Sequence, residues 1–304
     1  RRARGHPRIG AADQGYALTA VLLALVAAVG YGVSDFFGGV ASRRVTALRV
    51  VIISYPMSVL FVLALLPLFD GTPDTASMLW GLAAGVASGF AVWWFYAALA
   101  SGPMAVVSPL TALLVAGIPV LVGLVLGERP GPLAIAGIVF ALGAVYLVSR
   151  ESPDDVTEEI TGGRELRFTR KVALLTIGSG AAFGLAFVFL HETNASAGVW
   201  PLLAQRGAAS PMVWLIALSV GEFRPLRGEP LRLAAYIAVL DTIANAALLY
   251  AFHGSMLSLV SVIGSLYPAA TVLLAMALLG ERVGRQQQVG MVLALAAVGL
   301  IAAA

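Results

Sequence analysis

Cysteine is absent from the 304 residues, and lysine occurs once, as Lys171. Without cysteine there is no disulfide, no thiolate metal site and no cysteine nucleophile. Charge of either sign is scarce: Asp, Glu, Lys and Arg make up 12% of the chain against 60% hydrophobic residues, and the mean hydropathy is +0.92. No soluble fold buries that much apolar surface, so the composition places the chain among membrane proteins. The net charge of +3 is carried by arginines in short segments between apolar runs. That leaves no soluble face large enough to collect a basic surface for nucleic acid. Strict alternation of apolar and polar residues is also lacking. Residues 17–33 and 289–304 are apolar on almost every face, which excludes barrel strands and implies helices.

Long apolar runs are what the chain has in abundance. Helices are predicted over 17–41, 46–69, 78–100, 103–126 and 131–149, then over 171–191, 199–221, 231–253, 256–279 and 286–304. Segment 1–16 is basic. The first run, 17–41, is longer than a signal-peptide core, so it is expected to remain as a span. Between the two sets lies a polar linker over 150–170, with Ser152-Pro153-Asp154-Asp155 and Glu158-Glu159. The expected domains are therefore 17–149 and 171–304.

The two sets are related. Leu126-Gly127-Glu128-Arg129 recurs as Leu279-Gly280-Glu281-Arg282, and at the same offset Gly131, Gly137, Ala141, Leu142 and Val145 match Gly284, Gly290, Ala294, Leu295 and Val298. Earlier in each half Tyr31-Gly32 faces Phe183-Gly184, and Gly102 and Met104 face Gly254 and Met256. An odd number of spans per half makes the second half enter the membrane from the other side, so the repeats are expected to be inverted. In secondary transporters that architecture places substrate between the halves near the midplane.

The paired Leu-Gly-Glu-Arg ends of helices four and nine, Tyr96-Ala97-Ala98-Leu99 before Gly102-Pro103, and Ser265-Leu266-Tyr267-Pro268 ahead of Glu281 appear in a telling order. In these motifs the chain, from about residue 17 onward, resembles the bacterial ten-helix drug/metabolite transporters built from two EamA-type repeats. The resemblance implies a metabolite exporter or importer, driven by ion or substrate exchange, whose central cavity is walled by both halves. The first half departs from the pattern: Val115 stands where a proline is expected, with Pro109 and Pro119 on either side. Helix four is therefore expected to bend differently from helix nine.

An ionisable group at the centre of an apolar span costs roughly 2.5–3.5 kcal/mol on insertion scales. Asp241 sits about ten residues into helix eight, and Asn245 follows one turn on, on the same face. One reading is a carboxylate that binds a proton or cation with Asn245 as its hydrogen-bonding neighbour; the other is a structural hydrogen bond. Asp35, two turns before Arg43, reads either as a pathway carboxylate or as a partner of Arg43 or headgroups. His253, at the end of helix eight, reads as a proton relay or a wet interfacial side chain. Trp93 takes by the repeat the place of Asn245, with Trp94 and Tyr96 beside it, for substrate stacking or for packing. Ser258, Ser261 and Ser265 form a hydroxyl stripe towards Tyr267, lining a polar path or packing closely. Gly81, Gly85 and Gly89 mark a packing face. Glu128 and Glu281, beside Arg129 and Arg282, are expected at gates or interfaces. Arg49 and Arg206, just inside the second helix of each half, are expected to snorkel.

No enzyme motif holds. His191-Glu192 begins like a zinc-protease helix, but Ala195 stands where the second histidine is needed. Gly178-Ser179-Gly180 lacks the third glycine of a dinucleotide site. No metal and no cofactor are expected. The expectation is an all-α integral membrane protein, ten transmembrane helices as two inverted five-helix repeats, multi-pass in a cell membrane, and by its Arg-, Ala- and Gly-rich usage a bacterial one. It would move a small metabolite or drug by alternating access, with protons or another ion as coupling partner. The alternatives are a membrane-embedded enzyme acting on a lipid or peptide, and a non-transporting scaffold that has no need of Asp241. Orientation signals conflict: arginines gather on the linker side, favouring external termini, whereas the resemblance implies cytoplasmic ones.

Overall fold

The computed structural model describes residues 11–42, 44–99, 101, 104–149, 169–279 and 284–304. Residues 150–168 of the expected linker, the first ten residues and Glu281 lie outside the described residues, as does the side chain of Tyr96. The described elements are helical: α1 Ala11–Ser42, α2 Ala47–Leu65, α3 Thr75–Leu99, α4 Met104–Val125, α5 Pro132–Val148, α6 Arg170–His191, α7 Trp200–Ser219, α8 Glu229–Gly254, α9 Leu257–Gly264, α10 Tyr267–Leu274 and α11 Arg285–Ala302. α1 begins six residues before the apolar run does, because Ala11 and Ala12 extend it with good helix formers.

The predicted helix over 256–279 is not continuous. α9 stops at Gly264, α10 starts at Tyr267, and Ala275–Leu279 is wound as a π-helix. Pro268 brings no N–H to the ladder and occupies the first turn of α10, a position proline favours. α4, the counterpart in the first half, runs unbroken through Pro119.

Seven helices among the described residues are long and apolar enough to cross a membrane. α5, at 17 residues, falls short of that length. α7 carries Gln205 and Arg206 within 20 residues, which lowers its hydropathy. The bundle wears its apolar residues outside: Leu60, Val125 and Leu295 are 66%, 86% and 77% exposed. A hydrocarbon solvent accounts for such a surface, which water does not.

Packing follows small residues. A Cβ on Gly85 of α3 would overlap the Gln205 carbonyl of α7, and one on Gly89 would lie 2.8 Å from Met212 Sδ. The Gly81-Gly85-Gly89 stripe is thus where α7 lies against α3. The other pairings form an exchange-symmetric set. α1 lies along α8 as α6 lies along α3, α2 meets α8 as α7 meets α3, and α4 meets α6 as α9 meets α1. α5 packs on α11, and α2 on α7. With α9 and α10 taken as one element, swapping the halves exchanges the first six of these pairings in twos and maps α5–α11 and α2–α7 onto themselves.

Loops at the two ends of α2 and α7 are also matched. At one end the Thr72 N–H donates to the Ser196 carbonyl (3.0 Å), Asn194 Nδ2 donates to Asp74 Oδ1 (3.1 Å), and the Asn194 N–H donates to Ser77 Oγ (2.9 Å). There Gly198 adopts φ +55° and is pressed against the Asp70 carbonyl, so a side chain would be both strained and obstructed. At the other end Arg44 pairs with Glu229, and Thr46 Oγ1 donates to Glu222 Oε2 (3.0 Å). Thr46 and Glu222 stand at the same offset from Gly198 and Asp70, 152 residues in opposite directions along the numbering. The two fastenings are therefore repeat counterparts, one built from neutral groups, backbone and Asp74, the other from exposed charges.

Candidate functional site

Arg206 does not snorkel. Its guanidinium turns into the bundle and pairs with Asp241 of α8, and the two side chains are only 5% and 21% exposed. The guanidinium carbon lies 5.1 Å from the centroid of the Tyr55 ring of α2, within the range of a cation–π contact. Arg206 Nε is buried and has no hydrogen-bond partner among the described residues. Burial comes from α7 being enclosed by α2, α3 and α8. Removing one partner of such a buried pair leaves an uncompensated charge, a loss on the order of 3–5 kcal/mol. Asn245 is buried beside it, and its Nδ2 donates to the main-chain carbonyl of Asp241 at 2.7 Å.

α1 and α10 close the ring. Tyr31 and Tyr267 meet edge to face with centroids 6.3 Å apart, and Thr271 Oγ1 donates to the Gly32 carbonyl at 3.0 Å. Asp35, one turn beyond Tyr31, is exposed and has no ion pair among the described residues, although its neighbours Ser34 and Phe36 are 6% and 7% exposed. It lies within electrostatic reach of Asp241, Tyr31, Tyr55 and Tyr267. Five helices thus present two carboxylates, one guanidinium and three tyrosines to a common polar centre.

The other expected residues are placed elsewhere. Trp93 stands on the exterior, 43% exposed and stacked on Phe90, while Trp94 covers Gly178 of α6. Ser258, Ser261 and Ser265 are buried; Ser265 donates to the Ser261 carbonyl, and the hydroxyls of Ser258 and Ser261 have no hydrogen-bond partner among the described residues. They line no open path in this conformation. His253 Nε2 lies 3.1 Å from Thr193 Oγ1, tying the end of α8 to the loop after α6. Arg49 Nη2 donates to the Pro225 carbonyl at 3.3 Å.

Glu128 has a defined task. The Glu128 N–H donates to the Gly123 carbonyl (2.9 Å) and the Gly127 N–H to the Leu124 carbonyl (3.2 Å), with Gly127 at φ +99°. That is the glycine-terminated end of a helix in which the left-handed residue satisfies orphan carbonyls. The turn sends the Glu128 carboxylate to the first N–H groups of α9, Leu257 at 2.5 Å and Ser258 at 3.1 Å. Negative charge is favourable at a helix N-terminus, so the carboxylate that would oppose the dipole of α4 serves that of α9 instead. A side chain on Gly123 would overlap it.

Tyr31, Tyr55 and Arg206 are the members of the centre that sequence reasoning did not assign. One signal was present: Arg206 is the sole charge in α7, and Asp241 the sole charge deep within α8. Two opposite charges in consecutive apolar helices are each other's cheapest partner.

The fold and centre define an all-helical, multi-pass membrane protein with a charged core, assembled from two related halves. The model of the EamA-like transporter family matches residues 18–150 and 170–303, and the chain belongs to that family. No curated protein matches it. Among solved structures, a crystal structure of a protein at 16% identity superposes with a TM-score of 0.65, over 95% of this chain and 96% of that one, a likeness of fold alone.

Proposed function

We infer that this protein is a secondary transporter that carries a small solute across a membrane by alternating access, through ten helices arranged as two inverted five-helix repeats. The observation that carries this reading is the buried Arg206–Asp241 pair, set in a bundle whose outer surface suits lipid. Charges at such depth are costly and mark solute or ion pathways. The exchange symmetry of the helix pairings and the two matched fastenings support inversion, since a molecule of this kind opens one end as its pseudo-symmetric counterpart closes. Asp241, Asn245, Asp35 and Tyr267 form the pathway with Arg206, Tyr31 and Tyr55, and Asp241 is the carboxylate that couples a proton or another ion. Glu128 holds α4 to α9.

The test is reconstitution into liposomes with a panel of labelled metabolites and an imposed pH gradient, native protein against Asp241→Asn. Gradient-driven uptake by the native protein that collapses in the variant is expected. A scaffold would move no solute in either form, and absence of movement of any solute under any gradient overturns the reading.

A further inference from the structure

α1 and α8 lie side by side in a fixed antiparallel register. At one point Gly30 meets Ala244, whose Cβ would stand 3.0 Å from a Cβ added to the glycine, and further along Arg44 pairs with Glu229. Between these contacts the same register brings Phe37 beside Tyr236, with ring centroids 6.0 Å apart and planes tilted by 38°. Small residues let the helices touch, whereas the two large rings hold them apart. A cleft of about 480 Å³ opens there, lined by Val33, Phe37, Tyr236, Val239 and Leu240, all of them apolar or aromatic. It lies on the outside of the bundle. Asp35 follows Val33, and Asp241 follows Val239, by two residues, roughly 200° around a helix, so both carboxylates face the other way. Val29 and Ile243, one turn from Val33 and Val239, are 54% and 46% exposed and continue the apolar face. Water does not fill an apolar cleft, and an empty one loses dispersion contacts, so in a bilayer hydrocarbon occupies it. At roughly 30 Å³ per water-sized group the space takes on the order of a dozen chain carbons.

What selects among lipids lies at the mouth of the cleft. Arg232 shares one stripe of α8 with Tyr236 and Leu240, at i, i+4 and i+8, and stands three residues inside the start of the helix at Glu229. It is exposed and has no ion pair among the described residues, in contrast to Arg44, which Glu229 holds. Arg224 and Arg227, in the loop leading to α8, are likewise exposed and without an ion pair among the described residues. We propose that the cleft binds one anionic phospholipid of the surrounding bilayer, with an acyl chain beside Phe37 and Tyr236 and the phosphate on Arg232. This site is separate from the polar centre, and its occupation does not depend on solute transport. A guanidinium fork matches two oxygens of a phosphate. Tyr236, 57% exposed, has the apolar ring and polar tip that suit the boundary between hydrocarbon and headgroups. Charge decides the lipid. A zwitterionic headgroup brings its own ammonium, which the three arginines repel, whereas the headgroup of phosphatidylglycerol adds negative charge alone. Each arginine near the membrane surface favours such a lipid by about fivefold. Free glycerol phosphate has the anion but no chain for the cleft, and so lacks half of what the site recognises.

The experiment is photolabelling of the full chain in nanodiscs of equal parts phosphatidylglycerol and phosphatidylcholine, with a trace of one lipid or the other carrying a diazirine on an acyl chain, and mapping of the labelled peptides by mass spectrometry. Phosphatidylglycerol should label residues 33–37 and 236–240 at least about fivefold more than phosphatidylcholine does. Arg232→Gln should lower that preference about fivefold, and Arg232→Lys should keep most of it, which separates loss of the charge from a change of fold. Val33→Trp, which fills the cleft, should reduce labelling there by both lipids and leave labelling around the exposed Leu60 of α2 unchanged. Glycerol 3-phosphate in millimolar excess should displace neither lipid. Equal labelling of the cleft by the two lipids, an undiminished preference in Arg232→Gln, or displacement by glycerol 3-phosphate overturns the proposal. None of these readouts requires solute to move, so failure of the transport reading and failure of the lipid site are told apart.

Discussion

An aspartate can take up a proton and lose its charge, whereas an arginine cannot, so the two halves of the buried pair are not equivalent. Asp241→Asn strands a guanidinium and is expected to cost about 3–5 kcal/mol. Arg206→Gln, which leaves a group able to neutralise itself, should cost less, and the double variant should be more stable than Asp241→Asn alone. Thermal unfolding of detergent-solubilised protein at neutral pH measures all three; simple additivity would count against the pair. A second prediction concerns Asp74, outside the spans. Hydrogen bonds from Ser77, first through its side chain and then its backbone, hold the Asp74 carboxyl below the usual carboxylate range. A lowered folded value means that this contribution is complete above the ordinary value near pH 4 and fades as pH falls through the folded one. The stability gap between the native chain and Asp74→Asn should therefore be constant near neutral pH and narrow as pH falls below about 4. Asp241 could be found in the sequence because one charge interrupts a long apolar run. Arg206 could not be assigned its partner, because seven residues from a helix start is also where an arginine reaches headgroups, and only the enclosure of α7 by its neighbours decides between the two.

Among the elements, apolar runs located the helices to within a few residues, since a bilayer demands unbroken stretches of fixed length. What the runs concealed was the break between Gly264 and Tyr267: hydropathy is blind to a missing N–H, and only Pro268 announced it. The glycine stripe of α3 was legible as a packing face, but the identity of α7 as its partner was not. Gly85→Leu, which places a side chain against the Gln205 carbonyl, should prevent α3 and α7 from seating and yield aggregated material on size-exclusion chromatography. The Leu-Gly-Glu-Arg motif was visible as a repeat, while its role needed three dimensions: a turn on Gly127 that delivers Glu128 to a helix 129 residues away. Glu128→Ala should cost about 0.5–2 kcal/mol as a lost cap, read in the same unfolding assay, with Glu128→Gln intermediate.

At the scale of the molecule, the proposed cycle requires the two fastenings to open in turn. The natural absence of cysteine makes this directly testable. Thr46→Cys with Glu222→Cys, and separately Asp74→Cys with Asn194→Cys, place thiols where side chains already touch. Oxidation of either pair should stop solute movement in liposomes and reduction should restore it; transport that continues through both locked forms would rule out alternation between these ends. The fastenings also differ in chemistry. Arg44 and Glu229 are 58% and 51% exposed, so dissolved ions screen them, whereas hydrogen bonds between Asn194, Ser77 and backbone are largely indifferent to salt. Raising salt in a single compartment should consequently ease opening only when that compartment bathes Arg44. Leakiness under one-sided brine would then act as a compass, revealing which way round each molecule was inserted.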